Sequence, residues 1–238
     1  MITLAAFDMA GTTINDGGAV YRALERAVAE TGVPVAAADL QTWMGTEKRA
    51  AITALIELGG GDPRHPTDKV ETAYQRFRAI LSELYAEVPP TPIEGVADAI
   101  AQLRAAGISV ALTTGFSRDI ATRILSEIGW GVAAEGADAP VVDALVCGDE
   151  VAVGRPAPYM IHRAMEQTGT VSTGTVLVAG DTVVDVRAGA NSGAAVTIGV
   201  LTGELVREDF AEEPATELLG SVAEIPAYLS QHELWPSR

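Results

Sequence analysis

The sequence is poor in cysteine, in basic residues and in long apolar stretches. Cys147 is the one cysteine among 238 residues, which excludes an internal disulfide and favours a reducing compartment. Lys and Arg total 16 against 32 Asp and Glu, and the net charge of −16 disfavours nucleic acid as a partner, because phosphate backbones are bound by clustered cations. The N-terminus lacks the basic segment of a signal peptide, and no apolar run reaches the roughly 20 residues that cross a bilayer. We therefore expect a soluble, cytoplasmic protein that binds neither nucleic acid nor membranes.

Apolar residues nevertheless make up 48 % of the chain, enough for a sizeable core. Short apolar runs alternate with amphipathic segments, most of which end at a glycine. The runs predict strands at 2–7, 108–112, 143–147, 175–179 and 195–200. The amphipathic segments predict helices at 95–106, 118–128, 158–168 and 184–190. Strands that alternate with helices indicate an α/β fold with a doubly wound parallel sheet and helices on both faces.

One part of the chain breaks this alternation. It contains four helical patterns and no convincing strand, and the proline-rich segment 89–92 that ends it is expected to be a stiff linker. The helical patterns lie at 19–31, 39–43, 46–58 and 69–86. We therefore predict a core domain of residues 1–16 and 93–238, with residues 17–92 inserted as a helical cap domain. The acidic segment 208–217 and the C-terminal tail are expected on the surface.

Polar side chains follow the predicted strands at their carboxyl ends, where open parallel sheets bind ligands. Asp8 follows the first strand, Thr114 ends the second, and Arg155 lies in the loop after the third. Asp181 follows the fourth strand, with Asp185 four residues further on. Carboxylates, a hydroxyl and a guanidinium at one edge fit a phosphoryl group held by a divalent cation such as Mg²⁺.

The same residues suggest a covalent mechanism. A carboxylate at a strand end can attack phosphorus to give an aspartyl-phosphate, and Asp8 is the natural nucleophile. Thr114 and the backbone amides near Gly11 and Gly115 are expected to hold the non-bridging oxygens, and Arg155 to balance charge in the transition state.

Four segments together resemble the four motifs of the haloacid dehalogenase (HAD) superfamily, in the same order and at similar spacing. They are 8–13 (DMAGTT), Thr114-Gly115, Gly154-Arg155-Pro156 and 180–185 (GDTVVD). The resemblance implies a Rossmann-like core with a helical cap, and a Mg²⁺ ion at Asp8, Ala10, Asp181 and Asp185. Two alternatives stay open: Asp185 caps the helix that follows it, and Thr114 caps the helix that starts near Arg118.

A finer resemblance concerns the position two residues after the nucleophile. Most HAD phosphatases carry an Asp there that protonates the leaving alkoxide, whereas this chain has Ala10. The pattern D-x-A-G-T-T resembles the phosphonoacetaldehyde hydrolase (phosphonatase) family, as does Gly-Arg-Pro in place of the commoner Lys-Pro. The cap motif of that family, Met-Gly-x-x-Lys, matches Met44, Gly45 and Lys48. The resemblance implies that Lys48 forms a Schiff base with an aldehyde, which makes an electron sink for the departing carbon.

The local sequence favours a reactive amine at Lys48. Gly45 breaks the preceding helix, and Thr46 is expected to cap the next. Lys48 then lies in the first helical turn, near the positive end of the helix dipole, which favours the neutral amine, and burial adds to this effect. Glu47 opposes the effect if its side chain points inward.

The resemblance also implies which residues contact the substrate: Gly11, Thr12, Met44, Gly45, Gly115 and Phe116. The chain departs from the phosphonatase pattern at Ala51, where the family has a histidine, at Phe116, where it has a tyrosine, and at Gly18, where it has a cysteine. These departures concern the substrate pocket, whereas the residues for phosphoryl transfer are intact.

Three functions therefore remain open. The first is hydrolysis of the C–P bond of a carbonyl phosphonate such as phosphonoacetaldehyde. The second is a phosphomonoester phosphatase of the phosphoglycolate phosphatase type, in which Lys48 only binds an anionic substrate. Ala10 argues against it, because a missing general acid costs roughly 10²–10⁴-fold in rate. The third is a non-enzymatic binding protein. The sequence also leaves the oligomeric state open, and a homodimer is among the states it allows.

Overall fold

The computed structural model of the chain describes residues 1–236 and separates into two compact units. The first unit comprises Met1–Asn15 and the chain from Thr91 onward, and the second is Asp16–Pro90. The predicted insert, 17–92, begins one residue later and ends two residues later than the second unit. The predicted end of the core domain, at Arg238, falls outside the described residues.

Strands occur only in the first unit, as far as residues 1–236 are concerned. They are β1 (Leu4–Asp8), β2 (Ile14–Asn15), β3 (Thr91–Pro92), β4 (Ser109–Thr114), β5 (Gly131–Val132), β6 (Pro140–Val142), β7 (Ala144–Cys147), β8 (Val176–Gly180), β9 (Val196–Val200) and β10 (Glu217–Leu219). Six of them form the main sheet in the order β10-β9-β8-β1-β4-β7, and every pairing in it is parallel. The parallel sheet predicted from the sequence is therefore confirmed.

The helices of the described residues divide between the two units. They are α1 (Ala19–Ala29), α2 (Ala37–Thr42), α3 (Lys48–Leu58), α4 (Lys69–Glu87), α5 (Val96–Ala105), α6 (Arg118–Glu127), α7 (Tyr159–Thr168), α8 (Val183–Ser192) and α9 (Ile225–Gln231). The central strands β1, β8 and β9 are buried along their whole length. Strands covered on both faces read as continuous apolar runs, which is why the sequence revealed them. None of these helices is both long and apolar enough to cross a membrane.

The strand order places the candidate chemistry at one point of the sheet. The chain passes from β1 to β4 and β7 on one side, and then returns to β8 on the other side of β1. The order therefore reverses between β1 and β8, and ligands of open α/β sheets bind outside the strand ends at such a point. Asp8 ends β1 and Asp181 follows β8, so both carboxylates lie at this reversal.

The second unit is a small helical bundle. Helix α1 packs against α3 and α4, and α3 packs against α4. Its core is made of side chains that recur on one face of each helix, such as Leu24 and Val28 of α1, Ile52 of α3, and Phe77 and Ile80 of α4. An apolar stripe at helical spacing must be buried against a partner, so these helices form together.

Two expectations about the fold are wrong. The proline-rich segment does not act only as a linker, because Thr91–Pro92 pairs antiparallel with Ile14–Asn15 to form a two-stranded ribbon. The C-terminal part is not all surface, because Phe210 and the side chains of Ile225 and Leu229 in α9 are buried. These elements are too short to show a period, and β10 begins with an exposed glutamate at the edge of the sheet.

Candidate active site

Three buried carboxylates meet at the reversal point of the sheet. Asp8 ends β1, Asp181 follows β8, and Asp185 lies in the first turn of α8. One oxygen of each carboxylate lies within 4.8 Å of those of the other two. The sequence prediction that these three side chains converge agrees with this geometry.

Arg155 brings a positive charge into this cluster. Its Nη2 donates to Asp8 Oδ1 at 2.5 Å, and its Nη1 donates to Asp185 Oδ1. Arg155 is 5 % exposed, and its Nε has no hydrogen-bond partner among residues 1–236. Arg155 therefore links the candidate nucleophile, Asp8, to Asp185. Its buried Nε is a hydrogen-bond donor that none of the described residues uses.

The cluster is electrostatically unbalanced, since three carboxylates face one guanidinium. Burial raises the pKa of Asp8 from 3.8 to about 6, although the charge of Arg155 opposes the rise. Burial, with the nearby Asp8 and Asp185 carboxylates, also raises the pKa of Asp181 well above its ordinary value. Burial disfavours the charge of Arg155 too, but the Asp185 and Asp8 carboxylates raise its pKa. Buried oxygen ligands with excess negative charge fit a divalent cation, which would relieve this repulsion.

Asp185 also takes part in the cap of α8. Its Oδ2 accepts hydrogen bonds from the backbone N of Thr182, at 3.1 Å, and from the Thr182 hydroxyl. The carboxylate approaches the strand end so closely that a Cβ on Gly180 would lie 2.6 Å from Asp185 Oδ2. Thr182 is therefore the cap residue of α8 and Asp185 is its partner from within the first turn, which differs from the expectation that Asp185 caps a helix after it. The same carboxylate is part of the acidic cluster.

The loop after β1 holds Asp181 as well as Asp8. Thr12 donates its hydroxyl to Asp181 Oδ1 at 2.7 Å, and Thr13 donates to the Asp8 carbonyl oxygen at 2.9 Å. Thr13 completes the Thr-Thr pair of the motif, although nothing in the sequence assigned it a role. Ala10, predicted at the metal, offers no side-chain ligand and can contribute only its backbone carbonyl oxygen.

Two of the predicted substrate contacts in this loop are already engaged. The Gly11 amide was expected to hold a phosphoryl oxygen, but it donates to the Ile14 carbonyl at 2.8 Å. The Thr12 hydroxyl is directed to Asp181. The two engagements have different causes. The tight turn with Gly11 at φ 86° uses the Gly11 amide within its own loop, whereas the Thr12 hydroxyl binds a carboxylate from the loop after β8.

The end of β4 carries the other predicted oxygen-binding group. Thr113 pairs in register with Asp8, so Thr114 stands one residue beyond the nucleophile's position. Thr114 does not cap α6, because Ser117 occupies the position before that helix. The Thr114 Oγ1 instead accepts from the Phe116 amide at 3.2 Å. Thr114 and Phe116 are buried, as is Gly115 between them.

The remaining predicted site residues belong to the second unit. Met44 and Lys48 are each 4 % exposed, and Gly45 adopts φ 78°, a left-handed conformation that favours glycine. The Lys48 Nζ donates to the carbonyl oxygen of Thr46 at 3.1 Å. A lysine on a helix is rarely buried unless it is paired, so the burial of Lys48 is a distinctive feature of this unit.

The predicted helix cap beside Lys48 is wrong. Thr46 donates its hydroxyl to the Trp43 carbonyl at 2.7 Å and caps nothing. Glu47 is the cap, and its carboxylate accepts from the Ala50 amide at 2.9 Å. The extended backbone at Glu47 delays the helix start, so Lys48 is the first helical residue. Its place in the first turn is confirmed.

Comparisons with known proteins identify the family and the fold. The sequence model of the haloacid dehalogenase-like hydrolase family matches residues 2–193. The phosphonoacetaldehyde hydrolase of Bacillus cereus is 29 % identical, with 94 % of each chain covered. That of Paraburkholderia xenovorans is 33 % identical, over 82 % of this chain and 73 % of its own. The crystal structure of a phosphonoacetaldehyde hydrolase-like protein from Oleispira antarctica matches with a TM-score of 0.76 at 22 % identity, over 100 % of this chain and 95 % of its own, and supports the fold.

Proposed function

Because the chain belongs to the haloacid dehalogenase-like hydrolase family, we propose that it is a Mg²⁺-dependent enzyme that hydrolyses the C–P bond of a carbonyl phosphonate. Phosphonoacetaldehyde is the simplest such substrate, and it is the one in the names of the two relatives. The observation that carries the proposal is the Asp8 site itself: a buried carboxylate held by Arg155, beside two further carboxylates and without an acid at Ala10.

The phosphoryl end of the substrate is assigned to the first unit. Asp8, Asp181 and Asp185, with the Ala10 carbonyl, are the proposed ligands of the cation. Bound Mg²⁺ supplies positive charge that offsets the repulsion between carboxylates and phosphoryl oxygens. Arg155 orients the Asp8 carboxylate through its 2.5 Å hydrogen bond. Thr114 is the proposed donor to a phosphoryl oxygen.

The carbonyl end of the substrate is assigned to Lys48 of the second unit. A carbon leaving group needs somewhere to place its electron pair, whereas an alkoxide needs a proton. Ala10 cannot supply that proton, and an amine that forms an imine supplies the electron sink instead. Lys48 is buried, and its Nζ is held by the carbonyl oxygen of Thr46. The proposal requires that Lys48 and Asp8 act on the same substrate molecule.

The proposed reaction passes through an imine on Lys48. The neutral Lys48 amine adds to the carbonyl carbon, and uptake of a proton from solvent with loss of water leaves a protonated imine. A carboxylate oxygen of Asp8 then bonds to phosphorus while the C–P bond breaks, and the electron pair of that bond moves into the imine to give an enamine. Protonation of the enamine carbon and hydrolysis release the aldehyde and restore Lys48. Water attacks the phosphorus of the aspartyl-phosphate, which releases phosphate and restores Asp8.

The sequence provides an internal control for this chemistry. The chain has two lysines, Lys48 and Lys69, and each is the first residue of its helix. Both therefore experience the positive end of a helix dipole. They differ in burial, because Lys48 is buried and Lys69 is only half-buried.

The test is to incubate the protein with phosphonoacetaldehyde and borohydride and to map the reduced adduct by mass spectrometry. We expect a single adduct on Lys48, loss of phosphate release, and an unmodified Lys69. The variant Lys48→Met should form no adduct, and Lys69→Met should behave as the unmodified protein. Equal labelling of both lysines would contradict the proposal. So would an absence of adduct combined with phosphate release from simple esters, which would identify a phosphomonoester phosphatase.

A further inference from the structure

The turn after β9 contacts the loop after β1, although no sequence motif marks it. Thr202 donates its hydroxyl to the Gly11 carbonyl oxygen at 2.5 Å, across 191 positions of sequence. The Gly11 amide is bound on its other side to Ile14. Both polar groups of the Gly11 backbone are therefore fixed, one by its own loop and one by Thr202.

The neighbouring residue Gly203 touches the acidic cluster directly. A Cβ built on Gly203 would lie 2.7 Å from the carboxyl carbon of Asp181, and a Cβ built on Gly11 would lie at the same distance from that carbon. Two glycine backbones, from different loops, thus enclose the Asp181 carboxylate. A side chain on either glycine would have to displace it, since real Cβ atoms do not approach so closely.

The two contacts form one support for Asp181. The Thr202 hydroxyl holds Gly11, and the next residue, Thr12, donates to Asp181 Oδ1. Gly203 borders the same carboxylate, with no space between them for a side chain. We propose that Thr202 and Gly203 are positioning residues that fix the Asp181 carboxylate in the orientation needed to hold the divalent cation. This inference rests on the proposed cation site and assigns a role to a turn outside the motifs.

Removing a group that orients a metal ligand lowers the affinity for the metal by about 10–100-fold. Thr202→Val keeps the shape of the side chain and deletes the hydrogen bond, whereas Thr202→Ser keeps the hydroxyl. Thr168 offers a matched control, because its hydroxyl donates to the Ala164 carbonyl at 2.8 Å within α7. Thr168→Val removes a hydrogen bond of the same kind outside the acidic cluster.

The measurement is Mg²⁺ binding by titration calorimetry on the full-length protein, with the melting temperature recorded in EDTA. We expect Thr202→Val to weaken Mg²⁺ binding about tenfold, and Thr202→Ser to restore it. Thr168→Val should bind Mg²⁺ like the unmodified protein. A structural role alone would lower the melting temperature in EDTA and leave the affinity unchanged, and that result would overturn the inference.

A second variant tests the glycine. Gly203→Ala should weaken Mg²⁺ binding more than Thr202→Val, because its Cβ must displace Asp181 itself. If Gly203→Ala does not fold, the result for Thr202→Val still decides the inference. Failure of the unmodified protein to bind Mg²⁺ would overturn the cation site together with this inference. Equal binding by the unmodified protein and Thr202→Val would overturn the inference alone.

Discussion

Replacing Asp8 by Asn should stabilise the metal-free protein at pH 7 while it removes the nucleophile. The folded protein raises the pKa of Asp8 from 3.8 to about 6, mainly through burial. The charged carboxylate is therefore disfavoured in the folded state relative to the unfolded chain. Asparagine resembles the protonated carboxyl group in size and carries no charge, so it escapes this cost.

The magnitude and its sign follow from the pKa values. A change from 3.8 to about 6 is about two pKa units, or about 3 kcal/mol at about 1.4 kcal/mol per unit. Well below pH 3.8 the carboxyl is protonated in both states and the cost vanishes. The folded state binds the extra proton, so stability falls as the pH rises from about 4 to 6, and the full cost applies above that window. Asp181 contributes in the same direction, because its pKa is also raised.

The assay is urea unfolding in EDTA at pH 4 and pH 7, followed by tryptophan fluorescence. We expect Asp8→Asn to raise the free energy of unfolding by about 3 kcal/mol at pH 7 and by less than about 1 kcal/mol at pH 4. Asp138, an exposed loop residue, gives the control Asp138→Asn, which should change neither value. A loss of stability for Asp8→Asn at pH 7, or an equal gain at both pH values, would refute the electrostatic account of the site.

Three further predictions address other parts of the structure. Arg155→Met should lower the free energy of unfolding in urea at pH 7 by about 3–5 kcal/mol, since it leaves buried carboxylates without their cation; a neutral result would contradict the two ion pairs. Burial raises the pKa of the Cys147 thiol, so a thiol reagent should label Cys147 only after unfolding. Leu229→Ala in α9 should cost about 2–5 kcal/mol in the same urea assay, whereas Val171→Ala, at a side chain 97 % exposed, should leave stability unchanged.

The main sheet was predictable because its central strands share one sequence pattern. Strands such as β1 and β8 are buried on both faces, so each is a run of apolar residues followed by a polar loop. Their parallel arrangement then puts Asp8 and Asp181 at one edge. The elements β10 and α9 are too short to show a clear apolar run or helical period, so the sequence did not predict them. The place of Lys48 in the first helical turn was predicted, but the choice between Thr46 and Glu47 as the cap depends on backbone angles that the residue types do not determine.

The support around Asp181 shows a different limit. Thr12 belongs to a recognisable motif, and its position near the acidic cluster was expected, although its bond to Asp181 was not. Thr202 and Gly203 lie in a turn with no motif of its own, and their contacts join residues far apart in the chain. Such contacts arise from the packing of the segments that follow β1, β8 and β9, which are three successive strands of the sheet. They become visible only when the register of the sheet is known.

The central claim is that the Asp8 carboxylate attacks phosphorus. It is tested most directly by quenching the working enzyme in acid during turnover and locating the phosphoryl group by mass spectrometry. We predict a phosphorylated peptide that carries the group on Asp8, and neither phosphopeptide nor phosphate release with Asp8→Asn. Phosphate release that persists in Asp8→Asn, or a phosphoryl group found on another residue, would contradict it.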